Sequence, residues 1–213
     1  MKTVIYGSRP DGQANIVAQL AEATGRFELV GLIDDFPENA ARSVRGLKVL
    51  GTSADLPRLR ATGVEALLIG FGESLGRARV VEIAAAAGLE LPALLHESSH
   101  RFVSAVIGRG VQVFPLAYVG ANAVLGDGVL VNTAAVVEHD ASLDAGAVVL
   151  PNATVSGRAH IGRDATIGAG ASVLPDVSIG PGAVVGAGAV VVANVEGGER
   201  VAGVPARPLE RRD

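Results

Sequence analysis

The sequence predicts two successive folds, a small α/β domain built on a parallel sheet and then an all-β parallel helix of about five coils. Three observations carry that prediction. From Ile107 to Glu196 the chain divides into fifteen hexads without insertion, with Ile, Val or Leu in every first position and Ala or Val in every fifth. The first hundred residues instead alternate strand-like and helix-like segments. Charge thins where the repeat begins: residues 107–196 carry ten charged side chains and the other 123 residues carry thirty.

In chain order, Lys2–Gly7 is an apolar strand ending in glycine, and a helix follows from about Gly12 to Thr24. Glu28–Asp35 is a second strand closing on two carboxylates, Lys48–Gly51 is short and extended, and Ala54–Ala61 is helical. Ala66–Gly72 reads as a buried strand, Leu75–Ala87 as a helix and Glu90–His96 as a last strand. Such alternation implies a Rossmann-like sheet with ligands at the carboxyl ends of its strands. Three features sit at those ends. The loop Gly7-Ser8-Arg9-Pro10-Asp11-Gly12 precedes a helix whose first amides suit a phosphate. Asp34 and Asp35 stand where a carboxylate accepts hydrogen bonds from a ribose or base, or is simply a solvated strand end. Gly72-Glu73-Ser74 ends the third crossing, with Arg77 one turn later as a further ligand or a surface charge.

Six residues make one short strand and one corner, so three hexads close a triangular coil of 18 residues. The first-position aliphatic points inward and stacks on its copy in the next coil. The small fifth residue fits the inner corner, and the glycine that holds the second position in seven hexads relieves backbone strain at turns. The domain boundary then falls near residue 100, giving domains 1–100 and 101–213. Val177–Val195 is uncharged for 19 residues, but four Gly, a Pro and an Asn within the repeat argue for coils rather than a membrane span.

Composition narrows the function. Aromatics are 3% of the chain, too few for single-stranded nucleic-acid stacking platforms, and a net charge of -4 disfavours polyphosphate surfaces. With no cysteine, thiolate nucleophiles and Cys-based metal sites are excluded. No basic-then-apolar leader follows Met1, so a cytoplasmic protein is expected. His139 is the leading chemical candidate. It takes the third place of its hexad, outside the inward positions, with Asp140 after it and Glu138 before it. A carboxylate beside an imidazole fixes its tautomer and favours proton uptake, as a general base requires; a surface histidine in a charged turn is the bland alternative. His160 lies 21 residues on and does not stack on it. His96 and His100 fall in the junction, where they cap or pack. Two histidines within the coils do not make a three-histidine zinc site, and no metal is expected. Asn132, one hexad earlier, either orients a substrate group or packs.

The strand–glycine loop–helix opening, LIDD (32–35), LLH (94–96), VNTAAVVEHD (131–140) and GVPAR (203–207) together resemble the bacterial nucleotide-sugar N-acetyltransferases and the related sialic acid O-acetyltransferase-like proteins, members of the hexapeptide-repeat acyltransferases. The resemblance covers nearly the whole chain and implies a left-handed coil, with acetyl-CoA as co-substrate. It makes His139 the base and Asp140 its acidic partner. Gly7, Ser8, Arg9, Pro10, Asp11, Asp34, Asp35 and Gly72 become contacts of a UDP- or GDP-linked amino sugar, and Gly157, Ala169 and Ala187 line the acetyl-CoA groove. Two departures stand out. Val148 replaces the family's second histidine nine residues after the base, and GSRPDG replaces the usual GASGHG or GAGGHG loop. The function so implied is acetyl-CoA-dependent N-acetylation in a homotrimer. O-acetylation of a sugar or sialic acid, and a non-catalytic nucleotide-binding β-helix protein, are the alternatives.

Overall fold

The computed structural model describes residues 1–10 and 12–209. The chain forms two compact units, Met1–Gly72 with Arg79–Leu94, and Glu73–Ala78 with Leu95–Asp213. The first is a sheet of β1 (Lys2–Tyr6), β2 (Glu28–Ile33), β3 (Ser43–Val44), β4 (Leu47–Gly51) and β5 (Ala66–Ile69), in the order β3-β4-β2-β1-β5. All its pairs are parallel except the β3–β4 hairpin. Its helices are α1 (Gln13–Thr24), α2 (Leu56–Ala61) and α3 (Arg77–Ala86), the last beginning in the segment that belongs to the second unit. β1 and β5 are the central apolar strands: Val4, Ile5 and Ala66–Ile69 are all buried. The chain leaves β1 for β2 on one side and reaches β5 on the other, so β1 and β5 flank the switch point where such sheets open a crevice.

Three elements depart from the sequence expectation. A hairpin precedes Lys48, turning through Arg45 and Gly46, both at positive φ. The helix expected over Ala54–Ala61 is a 3-10 turn at Ser53–Asp55 followed by α2, because Thr52 and Asp55 form a capping box there. The last strand of the sheet does not form. Glu90 makes one bridge to Ala66, and the chain next extends at Leu94–Leu95, where the second unit begins.

The second unit is a left-handed parallel β-helix, with three faces of two-residue strands that pair with the strand 18 residues on. One face runs His100–Arg101, Tyr118–Val119, Val136–Val137, Thr154–Val155, Ser172–Val173 and Val190–Val191. The second runs from Val106–Ile107 to Ser178–Ile179, and the third carries Gln112–Val113 through Val184–Val185 to Arg200–Ala202. First-position residues from Val113 to Val191 and fifth-position residues from Val111 to Val195 are buried. Each Val, Leu or Ile side chain so buried contributes about 1.5–3 kcal/mol, and each Ala less. The coil register continues upstream of Ile107. Arg101, in the first place of hexad 101–106, and Ser99, in the fifth place of hexad 95–100, mask it in the sequence. GVPAR closes the last coil as a turn into an antiparallel strand, with the Ala206 amide donating to the Val190 carbonyl at 2.7 Å.

The corners revise one reading. Positive φ belongs to the fourth position of every hexad from Gly110 to Gly188, and Leu116, Asn122, Ala134, Asp140 and Arg158 adopt it as well as glycine. Second-position glycines have another reason: a Cβ on Gly120 would stand 2.6 Å from the amide nitrogen of His139 in the next coil. Close approach of successive coils, rather than relief of backbone strain, puts glycine there.

Within the second unit, the segment Glu73–Ala78 runs along the third face. Arg77, expected as a ligand or a surface charge, is fully buried there, its Nε donating to the Gly128 carbonyl at 2.7 Å and its Nη2 to Gln112 Oε1 at 2.8 Å. Thr166 donates to Ser74 at 2.8 Å. Val148, between Leu130 and Thr166 in the ladder of this face, is also fully buried.

Candidate active site

His139 projects from the corner between the first and second faces, and half of its side chain is exposed. The next residue, Asp140, is in the left-handed conformation (φ 58°), which aspartate tolerates better than most residues. That turn brings Asp140 Oδ2 within 2.8 Å of His139 Nδ1. An ionised Asp140 selects the tautomer with its proton on Nδ1, leaving the Nε2 lone pair as the base. The Asp140 carboxyl is held below the usual carboxylate range, first by the hydrogen bond to His139, then by one from Asn122 and by the charge of Arg158. Arg158 itself binds Asp176 through two 2.7 Å contacts.

One coil on, Gly157 lies against the imidazole: a Cβ there would be 2.7 Å from Nε2 and 2.8 Å from Cε1. Gly157 is therefore where the ring rests. Ala169 and Ala187 are exposed third-position residues on a different corner, one coil apart, linked by the Gly188 amide donating to the Ala169 carbonyl at 2.9 Å. That corner and the His139 corner border the same first face, whose outward strip carries Val136, Thr154, Ser172 and Val190, all half-buried. Asn132 stands on the alanine side of the strip, its Oδ1 accepting the following amide at 2.7 Å.

Of the remaining histidines, His160 stands on the second face, and His100 heads the outward strip of the first face two coils before Val136. His160 Nε2 is 3.0 Å from Asp144 Oδ2 on the second face. His96 Nδ1 accepts the Ser98 amide, and His100 stacks on Tyr118 with ring centroids 5.6 Å apart. Among the described residues, no group of three His, Asp or Glu could hold a metal ion.

In the first unit, Gly7 (φ 119°) follows β1 at the switch point, where a Cβ would meet the Gly70 carbonyl at 3.1 Å. Ser8 donates to Asp34 Oδ2 at 2.5 Å, while Asp34 Oδ1 accepts the Phe36 amide and the Asn39 side chain, each at 3.0 Å. Asp34 is thus a buried clamp between the loops after β1 and β2. Asp35 accepts the Tyr6 hydroxyl, the Ser53 amide at 2.6 Å and the Ser53 hydroxyl at 2.9 Å. Arg9 and Pro10 line an open depression with Phe36, Glu38, Asn39 and Arg42, and the buried Oδ1 of Asn39 has no hydrogen-bond partner among the described residues. Gly72 lies near Gln13 at the start of α1. Asp11 lies outside the described residues. Gly70, Asn39 and Asn122 carried no sequence signal as site or anchoring residues, and Arg77 was read as a ligand or a surface charge rather than an anchor, since each acts through a contact between distant segments.

Residues 2–84 match the family described as PglD N-terminal domain, and residues 158–193 match Bacterial transferase hexapeptide (six repeats). No curated protein sequence matches the chain. Among solved structures, the acetyltransferase domain of PglB from Neisseria gonorrhoeae FA1090 is 38% identical, with 98% of this chain and 99% of that one covered and a TM-score of 0.89. A mutant of perosamine N-acetyltransferase from Caulobacter crescentus, in complex with CoA and GDP-perosamine, is 31% identical over 99% of this chain and 98% of that one, with a TM-score of 0.90. WeeI from Acinetobacter baumannii AYE is 27% identical over 98% of this chain and the whole of that one, with a TM-score of 0.83. At these identities over nearly full length, the chain belongs to the hexapeptide-repeat nucleotide-sugar N-acetyltransferases.

Proposed function

We propose that this acetyltransferase moves the acetyl group of acetyl-CoA onto the amino group of a nucleotide-linked amino sugar, with His139 as general base. The observation that carries the reading is the His139–Asp140 pair at an exposed corner, its Nε2 without a hydrogen-bond partner among the described residues and its ring seated on Gly157. The perosamine enzyme, whose structure holds CoA and GDP-perosamine, supports the substrate class. The neutral amine attacks the thioester carbonyl, forming the C–N bond as its proton passes to His139 Nε2. The C–S bond then breaks and the CoA thiolate leaves, taking up the proton. The imidazolium formed in between faces an ionised Asp140, which stabilises it more than the neutral ring. No covalent acyl-enzyme is required.

In the same reading, the first unit holds the nucleotide at the ends of β1, β2 and β5. Gly7 to Pro10 lie beside the phosphates, and Asp34 shapes the loops that make the contacts. The pantetheine arm runs along the strip between His139 and the Ala169–Ala187 corner. The fully buried Val148 takes no part in binding it. The assembly proposed is a homotrimer, which light scattering on the purified protein measures directly.

The test is thiol release from acetyl-CoA with a panel of UDP- and GDP-linked amino sugars. At least one such sugar is expected to turn over, and His139→Ala should lower kcat by about 10²–10⁴. Turnover unaffected by His139→Ala, or none with any nucleotide amino sugar, overturns the reading.

A further inference from the structure

A carboxylate that serves a histidine needs its orientation fixed, because rotation about Cβ–Cγ exchanges or withdraws the oxygen the imidazole sees. Asp140 is nearly half exposed, so neighbouring side chains do not wall it in. Its second oxygen, Oδ1, accepts a 3.0 Å hydrogen bond from Asn122 Nδ2, exactly one coil earlier in the ladder of corners. We propose that Asn122 is a positioning residue that locks the Asp140 carboxylate in the rotamer which holds His139 in its base tautomer. The inference rests on the reading of His139 as the base.

The corner is built for this. Asn122 is itself held: it adopts the left-handed conformation (φ 58°), and its amide donates to Ser104 Oγ one coil further back at 3.0 Å. Fourth positions thus stack as Ser104, Asn122, Asp140, Arg158 and Asp176, with His139 branching off beside Asp140. The groups facing Asp140 are His139, Asn122 and Arg158. The guanidinium of Arg158 spends its hydrogen bonds on Asp176, so its charge keeps Asp140 ionised without competing for Oδ2. The choice of a neutral amide as the direct partner has a chemical consequence. A cation bonded to Asp140 would neutralise it and lower the basicity it lends the imidazole. An amide orients the carboxylate at every pH and leaves its full negative charge turned toward Nδ1.

Two substitutions suit the left-handed backbone at this position. Asn122→Gly removes the donor, and Asn122→Asp keeps the shape while turning the donor into a second carboxylate. Both should keep the wild-type melting temperature and a KM for acetyl-CoA within about twofold, since neither residue form touches the groove. Asn122→Gly should lower kcat by about tenfold, the scale of a modest misplacement of a reacting group. Asn122→Asp should lower it further, because a second carboxylate repels Asp140 where the amide had held it. Long-range ¹H–¹⁵N spectra of the four histidines read the tautomer without turnover: the His139 signal should be Nδ1-protonated in the wild type and a tautomer mixture in Asn122→Gly. Unchanged kcat and tautomer in both variants would overturn the inference. If His139→Ala retains activity, the parent reading fails instead, and the tautomer spectra still report whether Asn122 sets the ring.

Discussion

Asp140 and Asp34 each gather hydrogen bonds from more than one segment, yet their surroundings are opposite. Asp140 stands on a coil corner with 47% of its side chain exposed, and its partners are a histidine and an asparagine whose own positions repeat every 18 residues. Asp34 is 7% exposed at the end of β2, and its partners are Ser8, the Phe36 amide and Asn39, from two loops. The first carboxylate has a rigid floor and tunes a neighbour's chemistry. The second has loop neighbours and gives them a shape. A solenoid corner needs no carboxylate to hold its backbone, because coil-to-coil amides already do so. A loop at the end of a Rossmann-like strand has no such ladder.

That contrast is broken most directly by removing each carboxylate in turn. Asp140→Ala should lower kcat by about 10²–10⁴, since the free imidazole loses its tautomer and the charge that stabilises its protonated form. The melting temperature should stay near that of the wild type, because the group is exposed and the coil ladder is untouched. Steady-state kinetics beside a thermal melt separate the two quantities, and a large loss of stability would contradict the assignment of Asp140 to chemistry alone.

Asp34→Ala should do the reverse. It strands the Ser8 hydroxyl, the Phe36 amide and the Asn39 side chain, at a cost of about 3 kcal/mol for buried donors left unpaired. Denaturant unfolding should show that loss. Nucleotide-sugar KM should rise, while kcat at saturation moves less than for Asp140→Ala. Asp34→Asn, which keeps one acceptor oxygen for the loop amides, should recover part of the stability.

The same contrast accounts for what the sequence could and could not reveal. The coils were legible because each inward position meets its own copy one coil away, so one structural rule is written fifteen times over in Ile, Val, Leu and Ala. His139 was legible because it breaks that rule beside a carboxylate. Asn122 was hidden, because its partner lies 18 residues on and an asparagine at a fourth position also satisfies the left-handed corner by itself. Arg77 was hidden more deeply. Its burial depends on Gln112 and the Gly128 carbonyl, 35 and 51 residues away, and nothing within a local window distinguishes it from a surface cation. In the first unit the strands were legible from apolar runs. The failure of Glu90–His96 to join the sheet was not, since the same apolar residues suit the first strand of a solenoid.

The smallest expected effect lies in the first unit's other carboxylate and sharpens the idea that these acids serve loop shape. Burial works to raise the Asp35 carboxyl, but the Ser53 amide, the Tyr6 and Ser53 hydroxyls and the charge of Arg79 outweigh it and hold the group below its usual range. Tyr6 is pushed the other way, first by burial and then by the hydrogen bond it donates to Asp35, well above the ordinary tyrosine value near 10. A phenol whose folded pKa is raised favours the protonated, folded form. Its contribution is therefore complete below pH about 10, where the unfolded chain also keeps the proton, and is lost as pH rises from there toward the folded value. Tyr118→Phe leaves Tyr6 as the only tyrosine of the two, so absorbance at the phenolate band reads it alone. Its ionisation should be absent at pH about 11 in the folded protein and appear near the ordinary value in urea. Adding Asp35→Asn should bring the folded titration down by removing the negative charge that opposes a phenolate. An ordinary titration in the folded Tyr118→Phe protein would mean that the Tyr6–Asp35 contact does not hold in solution. The loop after β2 would then be tied to the sheet by Ser53 and Asp34 alone.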